Sequence, residues 1–432
     1  MNRTIAPGAR SGEFRVPASK SWAHRMLITA ALSENNCIIH CDGISKDISA
    51  TSVCLNALGA EIELPSLDSK EDPVIRITSI KNYEKADQKA EETEQKFRDL
   101  YCGESGSTLR FLIPVVGALG IPGVFHMEGR LSERPLGPLV EELKKHGMSI
   151  EQQGTLLFCS GKLTSGEFCI PGDISSQYIS GLLLALPIID GDSRLVITGK
   201  IESGDYIEMT ERAVKDAGIK LDKQDNIYTI CGNQKYSVKD ELTVEKDWSS
   251  VAFPLCMGAF SEDGMTVKGL NMDSAQGDKE IINILKRFGA EVIIDLKSDK
   301  SSVTVRKGAL KGQVIDASQI PDLVPVISTV ATGAEGETRI IHAERLRIKE
   351  SDRLYTTATM LKNLGADVEE TEDGLVIRGR KTLQGGTTES FNDHRIAMSA
   401  AVAAGICRGD VTILGTECTD KSFPGFWEII GR

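Results

Sequence analysis

Five times along this chain a helix-like segment closes on a glycine and runs straight into a stretch alternating apolar and polar residues. The segments are Leu55-Asn-Ala-Leu-Gly59-Ala-Glu-Ile, Leu143-Lys-Lys-His-Gly147-Met-Ser-Ile, Ala213-Val-Lys-Asp-Ala-Gly218-Ile-Lys-Leu, Leu285-Lys-Arg-Phe-Gly289-Ala-Glu-Val and Leu361-Lys-Asn-Leu-Gly365-Ala-Asp-Val. Glycine suits the left-handed position just past a helix end, and period-two alternation marks a half-buried strand. The glycines lie 88, 71, 71 and 76 residues apart. Such regular spacing predicts one supersecondary unit used repeatedly.

A second series keeps step with the first. Apolar segments rich in small residues open after polar clusters at Lys20-Ser21, Gly106-Ser107-Thr108, Ser175-Ser176-Gln177, Asp247-Trp248-Ser249-Ser250, Pro321-Asp322 and Asn392-Asp393-His394. Starts at 20, 107, 176, 249, 322 and 394 are separated by 87, 69, 73, 73 and 72 residues. We read six copies of a unit of about 70 residues, each with strands and two helices. The long first interval is assigned to residues 66–96, a charged insertion placed on the surface. Each helix of the second series begins with Ser, Thr, Asp or Asn and is apolar all round, which predicts burial inside its unit. Several such N-termini aimed into one cleft would attract anions through their free N–H groups and dipoles. Taken singly, Ser175, Ser176, Ser249 and Ser250 need only cap helices; six starts in register favour ligand roles.

The length of 432 residues suits two domains of roughly 200 residues each. A net charge of −12 argues against a nucleic-acid partner, since no basic excess exists to neutralise phosphates over a wide face. A local basic cluster for a small anion is still compatible with an acidic body. The longest strongly apolar stretch, Gly181 to Ile189, is nine residues with a proline, too short to span a bilayer. The N-terminal residues lack the apolar core of a signal peptide. Ten scattered cysteines without a CxxC pair predict reduced, mostly buried thiols in a cytoplasmic protein. The six histidines show no metal-ligand spacing, so no metal is expected. Gly103-Glu-Ser-Gly106-Ser-Thr lacks the Gly-Lys-Ser/Thr ending of a phosphate-cradling loop, and no cofactor is expected.

The polar clusters belong to a longer set of motifs. In order they are Ala18-Ser-Lys20-Ser21 with Arg25, Gly103-Glu-Ser-Gly106-Ser-Thr-Leu-Arg110, and Arg130-Leu-Ser-Glu-Arg134-Pro135. Ser175-Ser176-Gln177, Ser203-Gly-Asp-Tyr206, Ile320-Pro-Asp322 and Lys349-Glu350-Ser-Asp352-Arg353 follow. Asn392-Asp393-His394-Arg395 and Lys421-Ser-Phe-Pro424 complete the set. In their order and spacing the chain resembles the EPSP synthase family, the enolpyruvyl transferases of the shikimate pathway. The resemblance implies a two-domain inside-out α/β barrel, each domain three βαβαββ units around buried parallel helices. It also implies that both termini share a domain, here 1–17 with 240–432, and that 18–239 forms the other, with the active site in the cleft between them.

The same resemblance implies transfer of the enolpyruvyl group of phosphoenolpyruvate to the 5-hydroxyl of shikimate 3-phosphate, on the route to chorismate and the aromatic amino acids. Both substrates carry phosphate and carboxylate, for which guanidinium forks are suited. By resemblance Lys20, Ser21, Arg25, Ser175, Ser176, Gln177, Ser203, Tyr206, Asp322 and Lys349 hold shikimate 3-phosphate. Lys20, Gly106, Arg130, Gln177, Arg353, Arg395 and Lys421 hold phosphoenolpyruvate. Adding a hydroxyl at C2 while C3 is protonated needs a base and an acid. Asp322 is the implied base and Glu350 the acid at C3, with Lys20 able to share the proton work. On the residues alone Asp322 would be a helix cap and Glu350 a first-turn charge. His394 is expected to support these groups. Glu104 stands where many members carry Asn, and Arg345 near where some place an Asn, so those two roles are not carried over. A monomer inhibited by glyphosate is expected. The alternatives are a UDP-N-acetylglucosamine enolpyruvyl transferase and a non-catalytic anion binder on the same scaffold. The first uses a mobile-loop cysteine, absent from His126 to Pro135; the second has no use for Asp322, Glu350 and Lys20 together.

Overall fold

The computed structural model describes residues 1–65, 73–80, 96–296 and 301–430. They divide into two compact units, Met1–Pro17 with Glu245–Arg432, and Ala18–Val244. The described strands form six small sheets, five of four strands and one of three. One sheet shows the plan. Arg98–Gly103 runs parallel to Gly123–Met127, and Leu156–Ser160 then Ser149–Gln153 continue the sheet antiparallel. The helix Gly106–Leu119 joins the parallel pair, and Gly137–Lys145 leads into the final hairpin. That is the βαβαββ order.

Two sheets take their first strand from a distant part of the chain. Gly12–Phe14 lies parallel to Met265–Lys268 in one unit, and Glu241–Thr243 parallel to Cys37–His40 in the other. Glu241–Thr243 therefore belongs with Ala18–Val244, and the boundary expected at 240 moves to 244/245. The sixth sheet pairs Gly386–Glu389 with Val411–Leu414 and is completed by Asn2–Ile5, antiparallel.

All five repeat glycines adopt positive φ, between 84° and 111°, where a side chain would be strained. The expectation for residues 66–96 needs correction over 73–80. Val74–Thr78 is a strand paired with Cys37–His40 and Glu61–Glu63, with Ile75 and Ile77 buried. Its apolar alternation outweighs the charged flanks. The rest of that segment, 66–72 and 81–95, lies outside the described residues.

Among the inner helices, every residue of Trp248–Gly258 and His394–Ala403 is buried, as the all-round apolar pattern requires. Three are capped from within their clusters, by Ser175, Asp247 and Asp393, whereas Lys20–Ala31 and Gly106–Leu119 are capped one residue before theirs, by Ser19 and Ser105. The remaining one differs. Pro321–Leu323 forms a 3-10 turn leading into Val324–Thr332, and no side chain caps it. The Asp322 carboxylate is engaged elsewhere.

Candidate active site

In the unit carrying both termini, a group of charged side chains converges on that carboxylate. Arg353 Nη1 donates to Asp322 Oδ1 at 2.8 Å, Arg395 Nη2 to Oδ2 at 3.0 Å, and Lys349 Nζ stands 3.9 Å away. Arg395 also donates to the Asp322 carbonyl at 3.2 Å. The rest of the Arg353 fork is taken by Glu350 at 2.7 Å and Asp393 at 2.8 Å. With its side chain 1% exposed, Arg353 requires such partners, because an unpaired guanidinium is almost never fully buried. Asp393 also caps the helix His394–Ala403 and accepts from Ser351. Lys421 Nζ donates to the Asn392 carbonyl at 3.0 Å, next in sequence to Asp393.

The electrostatics follow from this packing. Burial alone would raise the Asp322 carboxyl, but Arg395, Lys349 and Arg353 outweigh it and hold the group well below the usual carboxylate range. Lys349 moves the other way: burial lowers it to about 8, Arg345 and Arg353 adding to the effect against the pull of Asp322. Asp278, bonded to the Ser249 hydroxyl, is pushed up to about 7 by burial and by Asp322, against Arg395 and Ser249. Ser249 is thus an Asp278 partner rather than a cap.

The other unit holds a second polar group. Lys20, at the first position of its helix, pairs with Asp47 at 2.8 Å. Arg25, 2% exposed, donates to Thr210 Oγ1 at 2.8 Å, the Ser21 carbonyl at 2.7 Å, the Tyr206 carbonyl at 2.7 Å and Ser180 Oγ at 3.4 Å. Its guanidinium lies over the Phe111 ring at 5.0 Å. These partners are all neutral, and burial lowers Arg25 to about 9. Gln177 accepts from Arg110 at 3.2 Å and donates to Ser107 at 2.9 Å, tying the starts of two inner helices together. Ser175 caps the second of them, and Ser176 is buried in its first turn. Ser203 sits at φ 54° before the helix Gly204–Asp216, a left-handed conformation uncommon for serine. Gly106 has ordinary helical backbone. A Cβ there would lie 2.6 Å from Arg110 Nη1 and 2.9 Å from Arg134 Nη1, so its bare face makes room for two guanidinium groups.

The chain matches the family model described as EPSP synthase (3-phosphoshikimate 1-carboxyvinyltransferase) over residues 6–430. The chain belongs to the EPSP synthase family. It is 43% identical over 427 residues to the 3-phosphoshikimate 1-carboxyvinyltransferase of Clostridium acetobutylicum, covering 98% of this chain and 95% of that one. It is 41% identical to the protein of that name from Clostridium perfringens strain 13, over 98% and 96% of the two chains. An EPSP synthase structure from Acinetobacter baumannii superposes with a TM-score of 0.80 at 27% identity, covering 100% and 98% of the chains.

Within this family frame, the structure brings Asp322, Lys349, Glu350, Arg353 and Arg395 into one bonded cluster, with Lys421 joined to Asn392 beside it. In the other unit it joins Ser21, Arg25 and Tyr206, and separately Gln177 with Arg110 and Ser107. Arg130 is drawn into neither group; half-exposed, it pairs with Glu133 at 3.4 Å on a surface turn. Glu350 precedes the helix Arg353–Asn363, whose cap is Asp352, so it is not a first-turn charge. His394 is buried, its Nδ1 4.0 Å from Asp393. The Glu104 carboxylate lies against Gly129, where a Cβ would meet it at 2.5 Å. The sequence assigns Asp47 and Asp278 no role and marks Asp393 only as part of a helix start. Asp393 and the two arginines at 110 and 134 lay inside quoted motifs, which was signal enough; Asp47 and Asp278 lay in none.

Proposed function

We propose that this chain transfers the enolpyruvyl group of phosphoenolpyruvate to the 5-hydroxyl of shikimate 3-phosphate, releasing phosphate. The observation that carries this reading is the ionised carboxylate of Asp322, held between Arg353 and Arg395 with Lys349 close by. Cations of that kind receive the phosphate and carboxylate groups of the substrates. As anions engage Arg353 and Arg395, their hold on Asp322 weakens, and the carboxylate becomes a better base for the hydroxyl proton. Glu350, on the same guanidinium, is the group assigned to C3 of phosphoenolpyruvate, with Lys20 sharing the proton work. Arg25 with Lys20, Ser21, Ser175, Ser176, Gln177, Ser203 and Tyr206 is assigned to shikimate 3-phosphate, as are Asp322 and Lys349. Gly106, Arg130 and Lys421 are assigned with Lys20, Gln177, Arg353 and Arg395 to phosphoenolpyruvate.

The reading draws on residues of both units, so substitutions in either should abolish turnover. Ten free thiols, eight of them buried, suit a reducing cytoplasm. Glyphosate competing at the phosphoenolpyruvate site and a monomeric protein complete the proposal. The test is phosphate release. It should require both shikimate 3-phosphate and phosphoenolpyruvate. Release with UDP-N-acetylglucosamine in place of shikimate 3-phosphate would overturn it.

A further inference from the structure

The helix Lys20–Ala31 is tied twice to the helix Lys46–Ala57. Lys20 meets Asp47 at 2.8 Å, and one turn further along both helices His24 Nδ1 lies 2.7 Å from Thr51 Oγ1. The chain of contacts continues. Thr51 Oγ1 is 2.6 Å from Thr108 Oγ1, and Thr108 donates to Ser105 Oγ at 2.7 Å. Ser105 caps the helix Gly106–Leu119, the one assigned to phosphoenolpyruvate. His24, Thr51, Thr108 and Ser105 are all 0% exposed.

Proton counting fixes the direction of this chain. A hydroxyl carries one proton. Thr108 gives its proton to Ser105 and so accepts from Thr51, which in turn accepts from His24. His24 must carry its proton on Nδ1, leaving the lone pair on Nε2. That nitrogen has no hydrogen-bond partner among the described residues, and the ring stands edge-on to Phe111 at 6.4 Å and 89°. Burial pushes the imidazole well below its ordinary range, with Lys20 and Arg25 adding to the effect, so the ring is neutral. A buried, unpaired nitrogen is costly, and a leucine would avoid it. The residue makes sense through its other nitrogen.

We propose that His24 is a positioning residue for the phosphoenolpyruvate end of the reaction, holding the helix start at Ser105–Gly106 in register with Lys20 through Thr51 and Thr108. It acts through these groups and touches no substrate. The proposal rests on the functional reading above, which assigns both Lys20 and Gly106 to that substrate.

Thr51→Val is nearly isosteric, cuts the chain and leaves His24 in place. His24→Leu removes the donor, and His24→Asn offers an amide N–H instead. Steady-state kinetics with both substrates should show KM for phosphoenolpyruvate raised about fivefold in Thr51→Val and His24→Leu, the worth of one neutral hydrogen bond. KM for shikimate 3-phosphate should stay within about twofold, and His24→Asn should recover most of the loss. Equal rises in both constants, or a lower melting temperature with neither constant changed, would reduce the chain to a structural role. So would an asparagine variant no better than leucine. A wild type that releases no phosphate would overturn the functional reading and this proposal with it; an active wild type with unaltered variants would overturn the proposal alone.

Discussion

The residue that most defines the chemistry is Asp322, and its neighbours make it testable through Lys349. Burial lowers Lys349 to about 8, so it is charged below that pH and neutral above it. A phosphate ligand needs the charged form. The kcat/KM for shikimate 3-phosphate is therefore expected to fall as pH rises through about 8. Lys349→Arg, charged throughout, should lack that descending limb; an identical limb in the variant would assign it to another group. Folding follows the opposite sense. Between about 8 and the ordinary lysine value the unfolded chain binds the extra proton, so stability gains as pH rises through that window. Arg25 shows how much a single side chain hides in sequence. Its motif position marked it as a ligand, but only the fold reveals that its partners are carbonyls and hydroxyls and that burial lowers it.

At the scale of elements, two sequence series were enough to place the inner helices, because caps, apolar helices and αL glycines are local signals. Non-local signals were out of reach. Glu241–Thr243 is placed with the unit carrying both termini until Cys37–His40 supplies its partner, and the apolar alternation of Val74–Thr78 is hidden by the charges on either side. The 3-10 start at Pro321 frees Asp322 from capping, which spacing alone could not show. The closeness of the inner helices gives a prediction of its own. Gly181 in Ser176–Ala185 faces the backbone of Gly106–Leu119, and a Cβ there would lie 2.5 Å from the Arg110 carbonyl oxygen. Backbone cannot swing aside as a side-chain tip can. Gly181→Ala should destabilise the protein by about 1–3 kcal/mol through overpacking. That corresponds to a melting temperature lower by several degrees, at roughly 2–4 °C per kcal/mol for a unit of this size. An unchanged melting temperature would mean that the two helices separate at little cost.

For the whole molecule, the six-fold repeat was legible because each unit repeats the same local signals at the same interval. Which residues share a cluster was legible only where motifs existed: Lys349, Glu350, Arg353 and Arg395 lie in motifs, whereas Asp278 lies in none and is coupled to the rest through the field of Asp322 and Arg395. Family membership accounts for the order of the motifs; the bonded cluster gives them a physical reason. The most direct test of that account is the rate of phosphate release by Asp322→Asn, measured alongside its binding of shikimate 3-phosphate. The amide keeps the shape of the carboxylate but cannot take the proton, so turnover should fall by about 10²–10⁴ while shikimate 3-phosphate still binds. A variant that keeps more than about half the wild-type rate would contradict the account, since a general base cannot be removed at so small a cost.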